Sequence, residues 1–188
     1  MSQQELLKKI IQALDQAEIP YMITGSIVSS LQGEPRSTHD IDILIAMQKS
    51  KAHILLEALS PSEFYWDKES ILEAVDRRGM FNLIDLKEGG KIDFWLLTDD
   101  PFDRSRFSRR YKEKLLGLEM HVSSPEDTIL VKLRWAKLSG GSEKQFTDAL
   151  RVYEVQRGKL DMEYLELWAK TLDVAPLWRK LLNEAEIA

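Results

Sequence analysis

The fold of this chain is decided by residues 20–45, PYMITGSIVSSLQGEPRSTHDIDILI. Residues 21–24 form a short apolar stretch that runs into a Gly-Ser pair, and residues 27–31 have helical character before glycine and proline open a loop. Residues 40–45 are rich in β-branched side chains, and the stretch is short enough to be a buried strand. The segment therefore predicts a strand, a Gly-Ser turn, a helix, a loop and a second strand.

Three carboxylates lie on predicted strands. Asp40 and Asp42 are two positions apart, so strand pleating would point both side chains to one face, about 6 to 7 Å apart. Asp93 is flanked by Ile92 and Phe94 inside a later apolar stretch, where a lone ionised carboxylate is poorly placed. If the two strands are neighbours, the three acids converge. Such a set suits one or two Mg²⁺ ions, with Mn²⁺ as a substitute.

The Gly-Ser pair falls between the first strand and its helix. Gly25 would let the backbone approach a ligand closely, and Ser26 with the helix N–H groups could hold phosphate oxygens. Arg36, in the following loop, would add positive charge near those phosphates. A phosphate-binding turn and a metal site are thus predicted from one segment.

The rest of the chain divides into a mixed half and a helical half. Ser2 and Glu5 predict a capping box that starts the first helix. That helix is predicted at about 3–18. Further helices are predicted at about 51–59, 70–77, 126–138, 143–157, 162–171 and 175–183, and strands at 64–66, 80–86, 91–97 and in a hairpin near 115–123. The predicted fold class is α+β (α/β), a mixed sheet flanked by helices in residues 1–123 and a helical bundle in residues 124–188.

Composition excludes several classes of protein. The 188 residues are 44% hydrophobic and 30% charged, and they include no cysteine, which excludes disulfides and thiolate metal sites. No apolar run approaches the roughly 20 residues that span a bilayer, and the N-terminal stretch lacks the order of a secretion signal. These features predict a cytoplasmic protein with no membrane partner. Lys and Arg number 26 against 31 Asp and Glu, so any polyanion must be met by a local patch.

The ordered motifs resemble the nucleotidyltransferase superfamily that includes DNA polymerase beta. That family's signature is an apolar residue, Gly, Gly or Ser, a spacer, Asp-x-Asp or Asp-x-Glu, and a later strand-borne Asp. This chain has Gly25 and Ser26, then Asp40 and Asp42 after thirteen intervening residues, then Asp93. Thr24 departs from the usual apolar residue before the glycine. The resemblance spans about residues 20–97 and implies the nucleotidyltransferase fold.

The helical half resembles small bacterial nucleotidyltransferases, including the type IV toxin group of abortive infection systems. The similarity rests on residues 124–127, SPED, and on the helical positions Lys132 and Asp148. In that group a helical Lys contacts the nucleotide phosphates and a later helical Asp lies near the reacting centre. The resemblance also implies a toxin role and an antitoxin protein as partner.

The implied activity is Mg²⁺-dependent transfer of a nucleoside monophosphate from a nucleoside triphosphate such as ATP to an acceptor hydroxyl. The acceptor is left open between an RNA or tRNA end, a protein and a small molecule. Asp93 would complete a second metal site or deprotonate the acceptor. The predicted catalytic residues are Asp40, Asp42, Asp93 and Asp148, the first three also as metal ligands, and the predicted nucleotide-binding residues are Gly25, Ser26, Arg36 and Lys132.

Each assignment has a structural alternative. The Asp-x-Asp pair could cap a strand-end turn, Asp93 could form an ion pair with Lys91, and Lys132 and Asp148 could be solvated helix residues. The basic stretch 104–114 is either a solvated loop or an acceptor patch with Phe102, Phe107 and Tyr111 available for stacking, and the five tryptophans are expected in the core. For the whole chain, the alternatives are a non-catalytic nucleotide-binding or protein-interaction module and a metal-dependent phosphohydrolase.

Overall fold

The computed structural model describes residues 2–38, 40–115 and 117–185. Its helices are α1 (Gln3–Gln16), α2 (Gly25–Gln32), α3 (Lys49–Ala58), α4 (Lys68–Arg77), α5 (Pro101–Ser108), α6 (Pro125–Leu138), α7 (Glu143–Gln156), α8 (Met162–Thr171) and α9 (Ala175–Glu184). Its strands are β1 (Tyr21–Thr24), β2 (Ile41–Ile45), β3 (Phe64–Tyr65), β4 (Met80–Asp85), β5 (Lys91–Leu96), β6 (Tyr111–Leu115) and β7 (Leu118–Val122).

The described strands form one mixed sheet in the order β3-β4-β5-β2-β1-β7-β6. β2 runs parallel to β5 and β1 parallel to β7, whereas the other neighbours are antiparallel. The predicted hairpin of β4 and β5 is confirmed, as is the mixed α/β class. The parallel pairing of β2 with β5 makes neighbours of the two strands that carry the predicted carboxylates.

Side-chain alternation gives the sheet two different faces. Ile41, Ile43 and Ile45 of β2 are fully buried on one face. The intervening residues Asp42 and Leu44 point to the other face, because successive strand residues alternate. Leu44 is also buried and packs with Met22 and Phe107, so apolar side chains are covered on both faces of β2.

Helix boundaries follow their capping residues. The Ser2 side chain accepts from the Glu5 backbone and the Glu5 carboxylate accepts from the Ser2 N–H, so the predicted capping box is confirmed. At the start of α6 the Ser124 hydroxyl accepts from the Asp127 N–H and donates to the Asp127 carboxylate at 2.7 Å. These local interactions satisfy N–H groups that have no partner within the helix.

The basic stretch 104–114 is not an open loop. Asp100 caps α5, whose first residue is Pro101, and the helix buries Phe102 and Phe107. The expectation that these two rings are available for stacking on an acceptor is therefore wrong. Burial of both rings, with Phe107 packed against Met22 and Leu44 of the sheet, favours a helix in a segment whose charges alone indicate solvation.

The chain forms two compact units. The first contains residues 1–24 and 38–122, and the second contains residues 25–37 and 123–188. The sequence-based division into residues 1–123 and 124–188 stays a prediction, and in the observed units α2 groups with the C-terminal helices. No helix in the part of the chain that the structure describes is long and apolar enough to cross a membrane.

The second unit contains a very close approach of backbones at Gly33. A Cβ on Gly33 would lie 2.8 Å from the Val152 backbone nitrogen and 3.0 Å from the Ser29 carbonyl oxygen. Because these atoms belong to helix backbones, we expect Gly33→Ala to lower the free energy of unfolding by about 1 to 3 kcal/mol, measured by urea denaturation. The control is Gly79→Ala, whose Cβ would have 3.9 Å to its nearest neighbour. Equal stability of both variants would contradict the close-packing explanation.

Candidate functional site

Asp42 and Asp93 are direct neighbours in the first unit. They are Cα partners across the parallel strands β2 and β5, at the usual interstrand spacing of about 4.8 Å. The register continues through Thr24 on β1 and Asn82 on β4, so a polar row crosses four strands of the sheet. Sequence placed both carboxylates on strands, and the structure brings them together. They are called the carboxylate pair below.

Asp40 does not lie on the strand. β2 begins at Ile41, and Asp40 is an exposed residue just before it. The prediction of Asp40 as a strand residue is therefore wrong, because strand pairing starts with Ile41 and Ile92. Its charge nevertheless contributes to raising the pKa of Lys91, which indicates that it lies near this end of the sheet.

Lys91 forms the ion pair that was the structural alternative for Asp93. Its Nζ donates to Asp93 Oδ2 at 2.9 Å. The hydrogen bond with Asp93 raises the pKa of the Lys91 ammonium group, and the charges of Asp93, Asp40 and Asp42 raise it further. Lys91 and Asp93 are two residues apart on β5, so both side chains lie on the same face of the sheet.

The carboxylate pair fits a magnesium ion in part. Asp93 is 9% exposed and its Oδ1 is buried without a hydrogen-bond partner, so it is available for a cation. Among the described residues, no group of three or more His, Asp and Glu side chains is arranged to hold a metal ion. Mg²⁺ is commonly held by one or two carboxylates together with substrate phosphates, and two adjacent acids meet that requirement.

Trp95 contacts the carboxylate pair, which the sequence did not predict. Its indole Nε1 donates to Asp42 Oδ1 at 3.4 Å, although the tryptophans were expected only in the core. Trp95 is also partly buried against the apolar cluster of Met22, Leu44 and Phe107. Its position two residues after Asp93 was the available signal, because alternation places both on one face.

A second polar group lies in the second unit and is centred on a buried carboxylate. Arg36 donates through Nε to Asp148 Oδ1 at 2.9 Å and through Nη2 to Oδ2 at 2.7 Å. Lys132 Nζ donates to Asp148 Oδ2 at 2.7 Å. The Ser26 hydroxyl lies 2.8 Å from Arg36 Nη2 and 3.4 Å from Lys132 Nζ. These four residues are called the Asp148 group.

The Asp148 group is deeply buried for a set of charges. The side chains of Lys132 and Asp148 are 4% and 8% exposed, and that of Arg36 is 29% exposed. Two cations and one anion leave an excess of one positive charge. The solvated-helix alternative for Lys132 and Asp148 is therefore wrong, because both side chains point inward and pair.

The protonation of Asp148 is controlled by its partners. Burial by itself would raise the pKa of the Asp148 carboxyl, but the hydrogen bonds from Arg36 and Lys132 outweigh burial and lower it below the ordinary 3.8. The hydrogen bonds with Asp148 correspondingly raise the pKa of Arg36. Asp148 and Arg36 are therefore both charged at neutral pH.

The lowered pKa predicts a pH dependence of stability. An acid whose folded pKa is depressed stabilises the fold above its unfolded pKa, and the contribution is lost as pH falls through the folded pKa. We expect the difference in unfolding free energy between the wild type and Asp148→Asn to be largest near neutral pH. It should shrink below about pH 4, as measured by urea denaturation at several pH values. A difference independent of pH would contradict this assignment.

Gly25 starts α2 in a conformation that favours glycine. Its φ is 70°, in the left-handed region that a side chain rarely adopts. The glycine thus allows a sharp turn directly after β1, and it places the Ser26 hydroxyl at the start of the helix, where Arg36 and Lys132 contact it. The predicted nucleotide-binding residues Ser26, Arg36 and Lys132 are in mutual contact, together with the predicted catalytic residue Asp148.

Three of the six cations in the basic stretch 104–114 pair with acids just outside it. Arg104 contacts Asp99 at 2.6 Å, and Arg106 contacts Asp103 at 2.8 Å. Lys112 contacts Glu119 at 2.8 Å. This pairing reduces the local positive charge that a nucleic-acid acceptor would require.

Residues 6–92 match the family model described as Aminoglycoside-2''-adenylyltransferase. The matched range contains Gly25, Ser26, Arg36, Asp40 and Asp42, and it ends just before Asp93. Comparison with curated proteins gives no significant match.

Several solved structures share the fold. The solution structure of the antibiotic-resistance factor ANT(2'')-Ia is 14% identical with a TM-score of 0.58, covering 98% of each chain. An antigenic nucleotidyltransferase-like protein from Paracoccidioides brasiliensis is 19% identical with a TM-score of 0.53, covering 94% of this chain and 91% of that one. The lincosamide antibiotic adenylyltransferase LnuA, in its lincomycin-bound form, is 16% identical with a TM-score of 0.54, covering 82% and 98%.

The similarity to these solved structures is a similarity of fold. It agrees with the order of the Gly-Ser and Asp-x-Asp motifs and with the family match over residues 6–92. The predicted toxin type has no counterpart among these findings. The chain has the nucleotidyltransferase fold, and its residues 6–92 match the aminoglycoside adenylyltransferase family model.

Proposed function

We propose that this protein is a Mg²⁺-dependent nucleotidyltransferase that adenylylates, or otherwise nucleotidylates, a hydroxyl of a small-molecule acceptor. The observation that carries the proposal is the carboxylate pair, Asp42 beside Asp93 on parallel strands, in a chain that also holds a buried cationic group around Ser26. Two adjacent carboxylates are unfavourable in an isolated sheet, so their pairing points to a cation as ligand.

The carboxylate pair would hold the magnesium ion, with Asp40 as the further predicted ligand. When bound, magnesium neutralises the triphosphate and stabilises the charge that develops on the transferring phosphoryl group. Asp93 Oδ1 lacks a hydrogen-bond partner, so it is the atom that could instead accept the proton of the acceptor hydroxyl. The acceptor oxygen forms a bond to the α-phosphorus. The bond between the α-phosphorus and the oxygen that bridges to the β-phosphate breaks, and pyrophosphate leaves.

The Asp148 group would bind phosphate oxygens. Arg36 and Lys132 supply positive charge, and Gly25 and Ser26 supply the start of a helix whose N–H groups favour anions. Asp148 holds both cations in place, so its contacts support a positioning role, whereas the catalytic role assigned from sequence stays a prediction. The pairing is costly to bury, which indicates that the two cations serve more than stability.

A small-molecule acceptor is favoured over RNA. The matched family and LnuA are named as adenylyltransferases of antibiotics, whereas the basic stretch that would contact RNA is paired with acids and buries its rings. A toxin role with an antitoxin partner stays a hypothesis from the sequence.

Thermal unfolding with each of the four ribonucleoside triphosphates, with and without Mg²⁺, tests the nucleotide site. A ligand at 100 times its Kd adds about 2.7 kcal/mol, which raises Tm by a few degrees in a chain of this size. Pyrophosphate release would then be measured with an aminoglycoside, a lincosamide and tRNA as acceptors. We expect a Mg²⁺-dependent Tm shift with triphosphate. We also expect pyrophosphate release with a small-molecule acceptor.

The opposite results would each identify an alternative. No shift with any triphosphate at millimolar concentration would favour a protein-interaction module. A shift without transfer to any acceptor would favour a nucleotide-binding module. Phosphate release from the triphosphate without acceptor modification would favour a phosphohydrolase.

A further inference from the structure

Lys91 places an ammonium group beside Asp93, one of the acids proposed above as magnesium ligands. Its Nζ lies 2.9 Å from Asp93 Oδ2, and the charges of Asp40 and Asp42 also act on it. Three carboxylates and one ammonium give this cluster a formal charge of minus two, against minus three without the lysine. The neutralising cation in the structure is therefore a side chain of the protein itself.

The ammonium group and a metal ion compete for the same carboxylate. Both are cations, so the Lys91 ammonium, 2.9 Å from Asp93 Oδ2, repels a divalent ion at either oxygen of Asp93. Asp93 is 9% exposed and its other oxygen, Oδ1, has no hydrogen-bond partner. A divalent ion on Asp93 is therefore favoured once the Lys91 ammonium moves away.

Lys91 is able to leave. Its side chain is 43% exposed and ends a flexible stem, so the ammonium can move into solvent without disturbing the strand. The turn before it contains Gly89 and Gly90, and the adjacent Asp93 is held by strand pairing on both sides. The lysine is the mobile partner and the carboxylate is the fixed one.

We propose that Lys91 is an internal cation that occupies Asp93 until a divalent metal ion displaces it, and that it thereby sets the metal affinity of the carboxylate pair. This inference rests on the proposed function. Lys91 is a positioning residue in this scheme. It neutralises the acids when no substrate is bound, and it makes metal binding depend on the additional ligands that a triphosphate supplies.

Manganese titration without nucleotide tests the proposal, with free Mn²⁺ followed by electron paramagnetic resonance. We expect Lys91→Met to bind Mn²⁺ about tenfold more tightly than the wild type, because it removes a positive charge that repels the metal ion at short range. Lys91→Arg keeps a positive charge beside Asp93 and should stay within about twofold of the wild type. The control for net charge is Lys87→Met, because Lys87 is an exposed lysine in the turn before β5.

Three results would overturn the proposal. Mn²⁺ affinity in Lys91→Met that equals or falls below the wild-type value would show that the lysine does not compete. Equal tightening in Lys87→Met would show a general effect of net charge. Equal tightening in Lys91→Arg would show that the ammonium itself is not responsible. Because no nucleotide is present, failure here is distinguishable from failure of the proposed function, which would appear as absent nucleotidyl transfer in the wild type.

Discussion

Asp93→Asn is expected to reduce nucleotidyl transfer by about 10³-fold or more, because it removes a charged oxygen from the carboxylate pair. The free energy of unfolding should not fall comparably. Asn has the same shape as Asp, and it relieves the repulsion between Asp93 and its register partner Asp42. Initial rates of pyrophosphate release and urea denaturation of the same preparations measure the two effects separately.

Asp42→Asn should reduce nucleotidyl transfer about as much as Asp93→Asn does. It should also abolish the Mg²⁺-dependent Tm shift with triphosphate. The control is Asp76→Asn, which removes an exposed acid of α4 that pairs with Lys49. We expect that control to retain wild-type transfer. Full activity in Asp93→Asn would contradict the assignment of the carboxylate pair to catalysis.

Lys132→Met is expected to destabilise the protein by about 3 kcal/mol, because it leaves the buried Asp148 carboxylate with one fewer cation. The two side chains are 4% and 8% exposed, so solvent cannot replace the lost partner. The same variant should raise the KM for triphosphate, since Lys132 is a predicted phosphate ligand. Urea denaturation and steady-state kinetics at several nucleotide concentrations measure both effects.

The matched control is Lys137→Met on the same helix. Lys137 pairs with Asp173 at the surface, where the two side chains are 45% and 86% exposed, so its removal should cost at most about 1 kcal/mol. Lys132→Met combined with Asp148→Asn should be less destabilised than the sum of the two single variants, because the pair is coupled. Additive losses would show that Lys132 and Asp148 act independently.

Local features of the fold were readable from the sequence, because they depend on neighbouring residues. The capping box of Ser2 and Glu5, the Pro125 start of α6 and the Gly89-Gly90 turn each rest on interactions within a few residues. The helix α5 was missed, since its charged composition resembles a solvated loop. Only tertiary packing of Phe102 and Phe107 reveals that one side of this segment is buried.

The candidate site also has features that the sequence predicts and features that only the tertiary structure shows. Residue types and their order predicted a carboxylate set and a phosphate-binding turn, and alternation along β5 could have placed Lys91 and Trp95 beside Asp93. Strand order could not be predicted, because pairing between β2 and β5 joins residues about fifty positions apart. That pairing alone brings Asp42 to Asp93.

Apart from α5, the sequence by itself determined the main element types, the mixed class of the sheet and the identity of the candidate carboxylates, because propensity, capping and side-chain alternation are local properties. The tertiary structure decided which charges meet. It seated Asp148 between Arg36 and Lys132, and it left Asp40 outside the strand. Such contacts depend on the packing of distant segments and on burial, which strengthens ion pairs that composition alone would leave in solvent.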